Sequence, residues 1–166
     1  MSSASNLGYN YSFKQGRAKI NIFILDTNPI LAAQYQVDKH VVKMTLEATQ
    51  ILSTVVGGPY RPTHANHPCV VWARTNETNF FWLKRHARAL CAEYTHRYHK
   101  RHKCQDVIEH LPPPHLPVGI TPFVQCMPPE FQDADPVQAY RKYYRGAKAS
   151  FAHWTNRSIP FWWDHD

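Results

Sequence analysis

The sequence has few cysteines, fewer acidic than basic residues, and no long apolar run. Its four cysteines are spread along the chain without a short paired spacing, which argues against a disulfide-rich secreted scaffold. No stretch approaches the roughly 18–20 apolar residues of a membrane helix. Residues 1–19 lack the apolar core of a signal peptide. We therefore expect a cytoplasmic protein with reduced thiols, in the host cytoplasm if the source is viral, and no membrane partner.

Basic residues are in excess. The chain carries 19 Lys and Arg against 12 Asp and Glu, for a formal net charge of +7, and 11 histidines besides. Aromatic residues make up 13% of it. A basic, aromatic-rich chain attracts polyanions and can stack unpaired bases. We expect DNA as the partner and no cofactor; the oligomeric state stays open.

Apolar residues at helical spacing dominate the pattern, and four helices are predicted. Asn28 and Pro29 provide a helix start, and Gly57-Gly58-Pro59 a helix end. The predicted helices cover about 29–36, 39–56 (after a cap at Asp38), 69 or 76 to 103, and 136–153. Residues 20–25 form either a strand or a buried lead-in. The prediction is an all-α fold of three to four helices with long Pro-rich loops: a flexible arm over 1–19 and one helical domain over 20–166.

The densest group of reactive side chains lies at the start of the second predicted helix. Lys39, His40, Lys43 and Glu47 fall within nine residues of one another. Seven helical residues return Glu47 to nearly the face of His40, about 10.5 Å along the axis, with Lys43 between them. A carboxylate beside cations suits cleavage of an N-glycosidic bond, because it can stabilise an oxocarbenium-like centre or activate water. The alternative is a solvated face with an ordinary Lys43–Glu47 pair.

Two further groups are candidates for binding nucleic acid. In the loop before the third helix, His64, His67 and Cys69 include metal-ligand types, but no second paired half follows. We therefore predict a phosphate-binding or structural loop without a tightly held metal, even though Cys104, Cys126 or a distant histidine could complete a set in the fold. The candidate contacts to phosphates or bases, including one lysine of the preceding group, are Lys39, His64, His67, Arg74, Asn79, Arg141, Arg145 and Lys148. Near Arg141 the alternative is a helix whose tyrosines belong to the core.

The segment from Ile22 to Leu52, centred on the sequence DKHVVKM, carries a family resemblance. It resembles small proteins of tailed phages and large DNA viruses and, more distantly, the pyrimidine-dimer DNA glycosylases of the endonuclease V type. That family has a histidine on an early helix and its catalytic glutamate seven residues later, a spacing that His40 and Glu47 match. The resemblance implies that Glu47 is catalytic.

The sequence also departs from that family at two points. The family's attacking group is a free N-terminal α-amine, whereas about twenty residues precede the matching start in this chain. An arginine stands directly before the family's glutamate, where this chain has Leu46. Two chemistries therefore stay open: hydrolysis through Glu47, or a Schiff base formed by Lys39 or Lys43.

The leading hypothesis is an N-glycosylase acting on a modified or damaged base of DNA or of a nucleotide. Glu47, His40 and Lys43 would form its catalytic group. One alternative is a phage nucleic-acid-binding module without catalysis. Another is a structural or host-takeover protein that binds other proteins through its aromatic tail.

Overall fold

Helices account for the regular structure of the chain. The computed structural model describes residues 20–164, so the predicted arm over 1–19 lies outside the described residues. Helical turns, including two short 3₁₀ helices, make up 52% of the described residues, which contain no strand. The all-α prediction is confirmed. Within residues 20–164 there are six α-helices rather than three to four: α1 Pro29–Gln34, α2 Asp38–Val56, α3 Pro68–Ala73, α4 Glu77–Tyr98, α5 Gln105–Glu109 and α6 Pro136–Ala147.

Capping residues set the ends of the first two helices. The side chain of Asn28 accepts the backbone N–H of Ile30 at 2.9 Å, so the predicted start of α1 is confirmed. Gly57 ends α2 with φ +83°, as the sequence predicts. The cap predicted at Asp38 is wrong, because Val37 precedes the helix and Asp38 is its first residue. Its carboxylate binds other parts of the chain instead.

The predicted long helix is two helices. α3 ends at Ala73, and Asn76 caps α4 by accepting the N–H of Asn79 at 2.9 Å. The long helix therefore starts with its cap at Asn76, the second of the two predicted starts. α4 ends at Tyr98, five residues before the predicted end, because His99 takes a left-handed conformation with φ +55°.

The apolar segment 20–25 is an irregular buried chain at the centre of the core, and its backbone carbonyls are bonded by side chains. The side-chain amide of Gln36 donates to the Ile22 carbonyl at 3.0 Å, and Arg141 Nε donates to the Leu25 carbonyl at 2.9 Å. These bonds satisfy groups that would otherwise be unpaired in the interior. α1, α2 and α4 pack together around the same core.

The core-facing stripe of α2 consists of Val41, Met44, Ala48, Ile51 and Leu52. Two other apolar residues of this helix, Val42 and Leu46, lie outside the stripe and are 44% and 41% exposed. Glu47 therefore lies on the edge of the buried face rather than on the solvated one.

The Pro-rich segment, residues 111–128 after α5, has no regular structure, as predicted, and it packs over α3 and α4. Trp72 Nε1 donates to the Pro122 carbonyl at 3.0 Å, and Asn79 Nδ2 donates to Thr121 Oγ1 at 2.6 Å. The last helix ends at Ala147, followed by the one-turn 3₁₀ helix Ala149–Phe151, so the predicted extent to 153 is too long. Within residues 20–164, no helix has the length and apolarity needed to cross a membrane.

Candidate active site

Glu47 is a buried carboxylate held from two sides. Its side chain lies on α2 and the residue is 6% exposed. The backbone N–H of Asn21 donates to Glu47 Oε2 at 2.9 Å, and Lys43 Nζ lies 3.8 Å from Oε1. Burial raises the pKa of Glu47, while the Asn21 N–H and Lys43 act in the opposite direction. The result is a poorly hydrated carboxylate with one adjacent cation.

His40 lies one heptad earlier on α2 and is also buried. Its Nδ1 is 2.6 Å from the Tyr144 hydroxyl, and its ring stacks on Phe23 with ring centres 4.3 Å apart. Burial, reinforced by the charges of Lys148 and Lys43, lowers the pKa of His40 to about 3. The imidazole is therefore neutral near pH 7. With 6% exposure, it supports its neighbours rather than presenting a charge to solvent.

Three lysines surround this carboxylate and histidine. Lys43 is 55% exposed at its side chain, and Lys39 is also exposed, with Nζ 5.2 Å from the centre of the Phe151 ring. Lys148 Nζ lies 4.8 Å from the centre of the Tyr143 ring. Burial, with a smaller contribution from Lys43, lowers the pKa of Lys148. Lys43 is the amine beside Glu47, whereas Lys39 and Lys148 lie over Phe151 and Phe23, two rings that pack against His40.

Two of the predicted DNA-binding residues, Asn79 and Arg141, are buried and bonded within the protein. Asn79 is 3% exposed and donates to the Trp72 carbonyl at 2.8 Å. Arg141 is 8% exposed and donates to Asp26 Oδ2 at 3.1 Å as well as to the core segment. Both side chains have their polar groups occupied inside the protein. The sequence offered no sign of this, because the partners of Arg141 and one partner of Asn79, Thr121, are distant along the chain.

Other predicted binding residues lie away from Glu47. Arg74 is exposed and donates to the Ala65 carbonyl, while His64 is exposed with Nδ1 2.6 Å from Thr63 Oγ1. His64 therefore belongs to the loop before α3, and Arg74, at the C-terminal end of α3, is bonded to that loop. Arg145, half-buried, donates to the Trp162 carbonyl at 3.0 Å and holds the C-terminal segment. Of the predicted set, the structure brings together Lys39, His40, Lys43, Glu47 and Lys148.

His67 has a different environment from His64. Its Nδ1 accepts the Cys69 N–H at 3.1 Å, and it caps α3. The fold adds Cys126 to this pair: the ligand atoms of His67, Cys69 and Cys126 all lie within 4.8 Å of one another. Burial raises the pKa of the Cys69 thiol well above its usual value, with smaller contributions from Cys126 and Glu47. These three residues are the ones in the described part that could hold a metal.

Sequence reasoning missed Asn21, Phe23 and Tyr144, which line the site. Asn21 holds the carboxylate, and Phe23 stacks on the histidine with a left-handed φ of +56°. Tyr144 was placed in a stripe that either binds bases or fills the core, and it is fully buried. Only the position of Asn21 and Phe23 in an apolar run next to the matching segment signalled their importance.

Neither of two shallow grooves on the described surface is lined by Glu47. The larger, about 420 Å³, is lined by Leu46, Gln50, Tyr60, Arg61, Pro62 and Thr63. The other lies at the start of α4, beside Phe81 and Trp82. On its solvent side, Glu47 is covered by Lys43. The lysine has a flexible four-carbon side chain that can move aside.

The site combines a buried carboxylate with nearby amines on a basic all-α scaffold. This combination is typical of a protein that acts on a polyanion. Comparison with known families gives the particular class. Residues 20–106, just over half of the chain, match the family described as pyrimidine dimer DNA glycosylase. The chain belongs to this family, and the resemblance inferred from the sequence is confirmed. Its general function is that of a DNA glycosylase, and its substrate class is DNA.

The matched segment contains both His40 and Glu47 together with all of α2, α3 and α4. It stops before the Pro-rich segment and α6. A search of curated proteins found no match, and neither did a search of solved structures.

Proposed function

We propose that the protein removes a modified or damaged base from DNA and that Glu47 is the carboxylate that acts at the sugar. The observation that carries this proposal is the environment of Glu47. It is a buried carboxylate one heptad after His40, within the family-matched segment, with a lysine amine 3.8 Å away.

The chemistry follows from that environment. Cleavage of an N-glycosidic bond builds positive charge on the deoxyribose. A carboxylate in a poorly hydrated site stabilises such charge more strongly than one in water. The Asn21 N–H on Oε2 fixes the carboxylate orientation, so that Oε1 faces the substrate or a water molecule.

The lysines would bind the DNA backbone. Lys39 and Lys43 are exposed on α2, and Lys148 is half-buried on the facing segment. When Lys43 turns to a phosphate, it uncovers Glu47 for the target base or sugar. A base excised in this way must leave the stack, because its sugar is not accessible to a buried carboxylate in an intact duplex.

An amine can also attack the sugar directly and form a Schiff base. Lys39 and Lys43 are candidates from the sequence, and the structure adds Lys148, because burial lowers its pKa and favours the neutral, nucleophilic amine. Borohydride reduction of a reacting mixture, followed by peptide mapping of the adduct, would identify the amine. Hydrolysis without an amine would leave no adduct.

Substitution of Glu47 by Gln tests the proposal. The amide retains the shape and the ability to accept the Asn21 N–H, but it cannot act as a base or carry charge. We expect base release to fall by about 10²–10⁴-fold while the circular dichroism spectrum and DNA affinity are kept. The matched control is Glu109→Gln, an exposed glutamate on α5, which should leave activity unchanged.

Suitable substrates are ultraviolet-irradiated, uracil-containing and hypermodified phage DNA, with released base and abasic sites as the readout. Full activity of the Glu47→Gln variant on a substrate that the wild type cleaves would overturn the assignment of Glu47.

The burial of Glu47 favours one alternative, a DNA-binding module without catalysis. In that case Glu47 would serve only to hold Asn21 and Lys43 in place. The wild type would then bind DNA with strong salt dependence and release no base from any of these substrates.

A further inference from the structure

Three metal-binding side chains meet beside α3, and they come from distant parts of the chain. His67 precedes the helix, Cys69 lies in its first turn, and Cys126 arrives from the Pro-rich segment. The two sulfur atoms are 3.3 Å apart, and all three ligand atoms lie within 4.8 Å of one another. Such a convergence of donor atoms is what a metal ion requires.

The sequence predicts no tightly held metal in the loop before α3, but the fold brings Cys126 to that loop. We therefore propose, against that prediction, that His67, Cys69 and Cys126 bind one zinc ion and leave its fourth position open to another ligand. In a tetrahedral zinc site with Zn–S of about 2.3 Å and Zn–N of about 2.0–2.1 Å, ligand atoms are about 3.4–3.8 Å apart. The observed spacings reach this geometry with small side-chain rotations. Two thiolates and an imidazole favour zinc over magnesium or calcium, which prefer oxygen ligands.

The surroundings of the two cysteines fit metal ligands. The backbone N–H of Ile22 donates to the Cys69 sulfur, a contact that stabilises a thiolate bound to a metal. The backbone of Cys126 is fixed on both sides. Its carbonyl accepts Asn21 Nδ2 at 2.7 Å, and its N–H donates to the Tyr140 hydroxyl at 3.1 Å.

Metal binding has a cost at His67. Its Nδ1 accepts the Cys69 N–H at 3.1 Å. A neutral imidazole has one lone pair, so coordination through either ring nitrogen removes this capping bond from α3. The zinc bonds replace this capping bond. They also connect the Pro-rich segment to α3 more strongly than the other contacts between the two do.

Cobalt is the probe for this site, because four-coordinate Co²⁺ replaces zinc and reports thiolate ligands by charge-transfer absorption. The full-length protein, reduced and freed of metal by a chelator, should bind one equivalent of Co²⁺ with this absorption, and Zn²⁺ should displace it. Cys126→Ser should lose most of the charge-transfer band. Cys91→Ala, which removes a buried thiol of α4 outside the cluster, should retain it.

A second measurement does not depend on colour. Zinc at about 100 times its dissociation constant should raise the Tm of the wild type and of Cys91→Ala by roughly 5–11 °C, and that of Cys126→Ser much less. His67→Ala alters a half-buried loop residue and should weaken Co²⁺ binding at least about tenfold while the protein stays folded by circular dichroism.

Three results would overturn the proposal. The first is a reduced wild type that shows no thiolate charge-transfer band with Co²⁺. The second is an equal band in the wild type and in folded Cys126→Ser. The third is a Cys69–Cys126 disulfide that persists in reducing buffer and excludes the metal.

Discussion

The burial of His40 predicts how stability changes with pH. The pKa of His40 is lowered to about 3 in the folded protein, whereas an unfolded histidine titrates near about 6.5. Between these values the unfolded chain binds more protons than the native one. The stabilising effect of a neutral His40 is therefore complete above about pH 6.5 and is lost as the pH falls toward 3.

The size of the stability loss follows from how much of the interval between the folded and unfolded pKa values of His40 the pH change covers. Each pH unit between those two pKa values costs about 1.4 kcal/mol, so His40 alone should remove about 2 kcal/mol between pH 7 and pH 5. Burial also lowers the pKa of the fully buried His86, to about 4, which adds a similar loss. Together they approach about 4 kcal/mol, a large part of a typical stability of about 5–15 kcal/mol.

Urea unfolding at pH 7 and pH 5 measures this loss. His40→Gln removes the titrating group and retains a hydrogen-bonding partner for Tyr144. Its loss of unfolding free energy between the two pH values should be about 2 kcal/mol smaller than that of the wild type. The pKa of Glu47 is raised, so Glu47 changes the free energy of unfolding with pH in the opposite direction. Because Glu47 is present in both proteins, its contribution cancels in the comparison.

His115→Gln is the control, because His115 is exposed in the Pro-rich segment and should leave the wild-type pH profile unchanged. Parallel stability profiles for the wild type and His40→Gln would refute the reasoning, since they would mean that His40 titrates alike in the folded and unfolded chains.

Two further predictions concern DNA binding and the buried ion pairs. If Lys39, Lys43 and Lys148 each neutralise one phosphate, log K should fall with log salt at a slope of about −2.7, or about 40-fold weaker binding between 50 and 200 mM salt. Lys43→Ala should reduce that slope by about 0.9 in a fluorescence-anisotropy titration, and an unchanged slope would remove Lys43 from the interface. Arg97 is 2% exposed and bonds Asp38 at 3.0 Å and Glu93 at 3.3 Å, so Arg97→Met should cost about 3–5 kcal/mol in urea unfolding. Arg101→Met, which removes an exposed ion pair with Asp106, should lower the free energy of unfolding far less, and equal losses in the two variants would contradict the assigned role of burial.

The helix ends show what local sequence can determine. Asn28 and Gly57 were identifiable because a cap depends on hydrogen bonds and dihedral angles within a few residues. The end of α3 was not identifiable, since nothing from Arg74 to Thr75 is unfavourable to a helix. The helix that follows, α4, packs against α1 and α2, and local sequence carries no information on such contacts.

The candidate site shows the same division. His40, Lys43 and Glu47 lie on one helix, so their spacing was enough to group them. Asn79 and Arg141 have the residue types of DNA contacts, but their partners lie 42 and 115 residues away along the chain. Sequence patterns carry no information on pairing at that distance, and so the burial of these two side chains could not be anticipated.

Asn21 connects the two sites by direct hydrogen bonds. Its backbone N–H holds the Glu47 carboxylate and its side-chain amide holds the Cys126 carbonyl. A metal that fixes Cys126 would therefore also fix the residue that orients Glu47. Suppose that Cys126→Ser loses base release but keeps its DNA affinity, and that neither zinc nor cobalt restores base release. This result would mean that the metal positions the carboxylate through Asn21. Unchanged base release in the same variant would mean that the metal serves the attachment of the Pro-rich segment alone.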